Sequence, residues 1–151
     1  MALKAQLDND LKTALLGGDR FRAEVLRGLK AAILNEEVAK GKRDEGLDDA
    51  AVEQIIAREV KKRQDSAQQY EAAGRPELVE AEKAESAVLE TYLPEQLSEA
   101  DIKTVVDEII SNLGVSGPRA MGQVMGAVKG KLGNTADGAT VARLVKDALN
   151  S

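Results

Sequence analysis

The chain has 151 residues, with 21 Lys and Arg against 26 Asp and Glu, for a formal net charge of −5. That length suits one compact domain or two small ones, and 43% apolar with 31% charged residues describes a chain that buries a core beneath a solvated surface. With no Cys and no His, there is no disulfide framework, thiolate nucleophile, Cys/His zinc site, Ser-His-Asp triad or imidazole acid or base, and aromatics at 2% leave no stacking platform for single-stranded bases.

Helical periodicity runs through the whole sequence, and no period-two alternation is long enough for a strand, so the chain reads as all-α. Leu3, Leu7, Leu11 and Leu15 stand four apart on a first short helix that ends near residue 16, where Gly17-Gly18-Asp19 supplies a turn and a new cap. Phe21, Val25, Leu29 and Ile33, with Val38 beyond, mark a second helix to about Lys40. Asp44, Glu45, Asp48 and Asp49 then fall in a polar, glycine-bearing loop whose spacing does not match a calcium loop. Asp48 caps a long charged helix that carries Val52, Ile55, Ile56, Ala67 and Tyr70 and ends at Gly74-Arg75-Pro76. On it Arg58, Lys61, Lys62 and Arg63 read as a surface of intrahelical ion pairs. A fourth helix follows from Pro76 to Thr91.

At Tyr92-Leu-Pro-Glu-Gln-Leu-Ser98 the chain changes character, because Pro94 forces Leu93 out of the helical region and Ser98 with Asp101 forms the start of a new helix. The domain boundary belongs here, between an elongated, charged helical domain over residues 1–93 and a three-helix domain over 94–151. The first helix of the second domain carries Ile102 to Leu113 and stops at Gly114. The second, from Pro118 to Leu132, carries Met121, Val124, Met125 and Val128; the third, capped by Asp137, carries Val141, Leu144, Val145 and Leu149.

Two features of this second domain point to binding. Gly122, Gly126 and Gly130 recur every four residues, each costing about 1 kcal/mol against Ala in a helix interior, and their mean direction lies about 140° from the helix's apolar stripe. Between Pro118 and Lys146 five cations, Arg119, Lys129, Lys131, Arg143 and Lys146, face a single anion, Asp137. Glycines that admit a close backbone approach beside positive charge suit a phosphate backbone; the bland alternative is another helix packed on the glycines. Gly126 to Leu132 is no phosphate loop, since its glycines are one residue too close, no Ser or Thr follows the lysine, and no strand precedes it.

At Tyr92-Leu-Pro-Glu-Gln-Leu-Ser98, at Met121-Gly-Gln-Val-Met-Gly126 and at Ala136-Asp137-Gly138 the sequence resembles the GatB/YqeY family, specifically its stand-alone YqeY-like members, over essentially the whole chain. The resemblance implies an amino-terminal helical domain and a carboxyl-terminal domain similar to the tail of the B subunit of the tRNA-dependent amidotransferase, which contacts tRNA. Gly122 to Met125, Val141 and Leu144 match that tail. The large domain in which that enzyme activates a carboxylate with ATP has no counterpart in 151 residues. Gly133-Asn134-Thr135 also stands where family members often carry a basic triplet, and the nearest basic triplet is Lys129 to Lys131. The expectation is therefore a module that is non-catalytic on its own, with no cofactor, no metal and no membrane partner. It would bind tRNA or a tRNA-handling enzyme through Arg119, Lys129, Lys131, Arg143 and Lys146, with Gly122, Gly126 and Gly130 permitting approach. Two alternatives are an adaptor that docks a partner helix on the glycine face and a component of a glutamine-dependent carbon–nitrogen ligase that acts only with partner subunits. Residues 1–8 lack an apolar stretch and no apolar run nears the roughly 20 residues that span a bilayer, so the expected location is the cytoplasm.

Overall fold

Caps and apolar spacing resolve into seven α-helices in the computed structural model, which describes residues 2–150 and contains no strand among them. They are α1 (Ala2–Leu16), α2 (Arg20–Ala39), α3 (Asp49–Ala72), α4 (Pro76–Glu90), α5 (Glu99–Leu113), α6 (Met121–Leu132) and α7 (Gly138–Leu149). Four begin on a side-chain cap that accepts an otherwise free backbone N–H: Asp19 from Arg22, Asp48 from Ala51, Ser98 from Asp101 and Asp137 from Thr140. Pro76 occupies the first turn of α4, where its missing N–H is no loss, and Gly114 closes α5 at φ +65°, a left-handed conformation that favours glycine. Residues 118–120 form a separate 3-10 turn ahead of α6 rather than its first turn.

The chain divides into two compact units, one up to Leu93 and one from Pro94 onward. In the first, α1 to α4 close on Leu7, Leu26, Leu29, Ile33, Val52, Ile55, Ile56 and Leu89. The four-residue series read along α1 and α2 are only partly the buried ones. Leu15, Phe21 and Val38 are exposed, while Ala14, Ala23 and Leu26 lie inside. Four residues span about 400°, so a four-residue series drifts by about 40° at each step and leaves a straight stripe within three steps. On α3, Arg58 pairs with Glu36 (3.2 Å), Lys62 with Glu59 (3.0 Å) and Arg63 with Glu85 on α4 (2.8 Å), so three of the four clustered cations are ion-paired.

Glu37 is the one charged residue buried in this unit among those described, 3% exposed on the inner side of α2. Its Oε2 accepts from Lys4 Nζ on α1 (2.6 Å) and from the Leu47 backbone N–H (2.9 Å), while the Glu37 carbonyl accepts from Lys42 N–H (2.7 Å). One residue therefore ties α1, α2 and the 40–48 loop together. The Lys4 hydrogen bond and the Leu47 N–H hold its carboxyl below the usual carboxylate range, against the opposing effect of burial. Tyr92 makes a second tie: its hydroxyl donates to Asp10 (2.6 Å) and accepts from Arg22 (3.0 Å), and burial together with the Asp10 bond pushes its ionisation up to about 12.

In the second unit α5, α6 and α7 pack as a three-helix core of Ile102, Val106, Val124, Val128, Leu132, Val141, Val145 and Leu149. The entering segment is tied to the turn between α6 and α7, since Leu97 N–H donates to the Thr135 carbonyl (2.8 Å) and Gln96 to that of Asn134 (2.9 Å). The turn at Gly133-Asn134-Thr135 thus anchors the Gln96-Leu97 segment.

Glu37→Gln keeps an acceptor for Leu47 but removes the charge that Lys4 meets, and should cost about 2 kcal/mol in urea unfolding at neutral pH. Because the native carboxyl titrates below its unfolded counterpart, that stabilisation is complete above the ordinary carboxylate pKa and disappears as pH falls through the lowered native value. The gap between wild type and variant should accordingly be constant above the ordinary carboxylate range and narrow progressively as the pH falls below it.

Candidate nucleic-acid interface on the second unit

Helix α6 has twelve residues and buries one side, with Val124, Val128 and Leu132 against α5 and α7. Gly122, Gly126 and Gly130 are all exposed, and a side-chain carbon placed on any of them would meet nothing within 4 Å in its own unit. No helix of this unit covers the glycine stripe. Nothing in the local packing requires glycine there, yet the three together cost a helix interior about 3 kcal/mol relative to Ala.

All five cations are exposed, and they are spread over the 3-10 turn, α6 and α7. Arg119 sits in the 3-10 turn one turn ahead of Gly122, and Lys129 lies next to Gly130; neither has an ion-pair partner among the described residues. Lys131 projects about 140° around the helix from the glycines, and its Nζ is 3.9 Å from Glu108 of α5. Arg143 on α7 pairs with Glu99 at the start of α5. Lys146, three residues further along α7, has no ion-pair partner among the described residues. Both neutralising acids come from α5, which carries Glu99, Asp101, Asp107 and Glu108, whereas α6 carries no acid at all. The unit is nearly balanced in number, six cations to seven anions, but its charge is sorted by helix. The outer face of α6 is the place where exposed backbone and unpaired positive charge coincide.

Lys129 and Lys131 lie in the last turn of α6, where cations offset the exposed carbonyls of a helix carboxyl end. Local sequence could not separate these two lysines, because the Glu108 that pairs with one of them is 23 positions away.

The sequence pattern of the YqeY-like protein family matches residues 4–149. Three curated relatives carry the name altered inheritance of mitochondria protein 41, mitochondrial. The one from Lachancea thermotolerans is 33% identical over 76% of this chain and 61% of its own length. That from Kluyveromyces lactis is 32% identical over 84% of this chain and 69% of its own length, and that from Pyrenophora tritici-repentis is 27% identical over 97% and 80%. The chain thus spans about three fifths of the Lachancea protein. These names correct the expectation of a cytoplasmic location, since the relatives are mitochondrial proteins. That expectation rested on the lack of an apolar leader, but mitochondrial targeting segments are amphipathic and basic rather than apolar, so the lack does not bear on that compartment.

If the glycines are dispensable for folding, Gly126→Ala should raise the stability of the second unit by up to about 1 kcal/mol, read as a later urea midpoint with an unchanged slope.

Proposed function

The chain belongs to the YqeY-like protein family, and from that premise we propose that it is an accessory module, non-catalytic by itself, whose second unit binds tRNA through the outer face of α6. The observation that carries this reading is the open, glycine-lined face of α6 with Arg119 and Lys129 beside it and no acid on the same helix. A phosphate strand needs close approach and positive charge, and the exposed glycine backbone supplies the first while the two side chains supply the second. Lys146 is a further exposed cation, and Arg143 and Lys131 join only by leaving Glu99 and Glu108, exposed pairs that cost little to break. Recognition of this kind reads backbone and shape rather than bases, in keeping with a chain that has one Phe, two Tyr and no Trp.

The same face also suits a helix of a tRNA-handling enzyme, and a chain with no His or Cys would then serve such an enzyme as a docking or positioning subunit. Salt separates the two, because phosphate binding releases counterions and helix docking on glycines does not.

Binding to bulk tRNA, followed by fluorescence anisotropy from about 50 to 200 mM salt beside a duplex DNA control, should be saturable, selective for tRNA and steeply salt-dependent. Arg119→Glu with Lys129→Glu should weaken it about tenfold or more and reduce the salt slope by about 2, with thermal unfolding unchanged. Absence of tRNA binding even at the lowest salt would contradict the reading.

A further inference from the structure

The first unit leaves the outer side of α2 uncovered, and the residues on that side are regularly spaced. From Arg20 the positions Glu24, Arg27, Ala31, Leu34 and Val38 follow at alternating steps of four and three, the spacing of a seam along which one helix packs lengthwise on another. A different stripe of α2, which includes Leu26, Leu29 and Ile33, serves the core, so this second seam is surplus to folding. Its carboxyl-terminal half is apolar and open, with Leu34 40% exposed and Val38 60%.

Alongside runs a groove of about 390 Å³ whose apolar wall is Ala31, Ile33 and Leu34. Its charges are nearly cancelled: Lys30 pairs with Asp8 and Lys4 with Glu37, each at 2.6 Å. Arg43 is the third groove cation against two acids: it acts on the Glu37 carboxylate through space but makes no salt-bridge contact among the described residues. It stands on the loop that Glu37 ties down through the Leu47 N–H and the Lys42 N–H, so its backbone is held in place. On the seam itself Arg20 and Arg27 outnumber its one acid, Glu24, and none of the three has an ion-pair partner among the described residues.

We propose that this seam and groove dock an amphipathic helix of a partner protein that carries carboxylates beside its apolar stripe. Apolar side chains of that helix pack on Ala31, Leu34 and Val38, and its acids reach Arg27 and Arg43. A concave wall beside a heptad-spaced seam fits a helix better than it fits the flat surface of a lipid bilayer, and the unpaired arginines set the sign of the partner. The surface lies on the first unit and stands independently of tRNA binding by the second.

The test uses the full chain, nitrogen-15 labelled, titrated with a synthetic peptide of about five helical turns that has Leu at seam positions and Glu elsewhere, and with the same peptide bearing Lys in place of Glu. The acidic peptide should shift amides of α2 and of residues 40–47 saturably, and the basic peptide should bind at least about tenfold more weakly. Leu34→Asp and Arg43→Glu should each weaken the acidic peptide about tenfold. Should Leu34→Asp fail to fold, Val38→Ser, at the more exposed position, takes its place. No binding, equal binding of both peptides, or shifts confined to other helices would overturn the proposal. So would sedimentation with phosphatidylserine vesicles in place of peptide binding, which assigns the surface to lipid, or a concentration-dependent dimer lost on Val38→Ser, which assigns it to a second copy.

Discussion

Both cores are built almost entirely from Leu, Ile, Val and Ala, because the chain has one Phe, two Tyr and no Trp, and Phe21 is exposed. Aliphatic side chains of that size fill the space between helices only along narrow stripes, so each helix buries one side and leaves the rest to solvent. Much else in the molecule depends on this constraint. It accounts for the charged outer faces of α3 and α4, for the use of Glu37 and Tyr92 as polar ties between helices, and for an α6 whose outer side is free to carry glycine. Burial of Val124 and Val128 stabilises α6 enough to offset three glycines on the opposite side.

The two units use polar groups in different ways. In the first, the buried Glu37 carboxylate, with Lys4 and the Leu47 N–H, fixes a loop that would otherwise have little to hold it, and a buried charge of this kind must keep its partners. In the second, no charged residue is buried among those described, and ion pairs run across the surface from α5 to its neighbours. Such surface pairs add little stability but do decide which cations remain available to a ligand. Arg119, Lys129 and Lys146 are the ones left.

Features fixed by neighbouring residues were legible in the sequence. Asp19, Asp48, Ser98 and Asp137 announce helix starts because a cap acts within three positions, and Gly114 announces an end because a left-handed residue is needed there. The family resemblance read at Tyr92 to Ser98 and Met121 to Gly126 agrees with the match over residues 4–149. Features fixed across the fold were not legible. Glu36 and Glu37 are adjacent and chemically identical, yet one pairs with Lys40 and Arg58 on the surface while the other is buried against Lys4, 33 positions away. Likewise Lys131 and Arg143 counted as available cations until Glu108 and Glu99 of α5 came beside them. The exposed state of the α6 glycines was half legible, since periodicity gives a direction along one helix but not what lies in that direction.

Under the proposed function the α6 glycines serve a ligand and not the fold. Replacing Gly122, Gly126 and Gly130 together by Ala, then measuring unfolding and tRNA affinity on the same preparation, tests it most directly. The variant should be more stable and bind tRNA at least about tenfold more weakly, with stability and affinity moving in opposite directions. A destabilised variant, or one that is stabilised and binds tRNA as well as before, would contradict the proposed function.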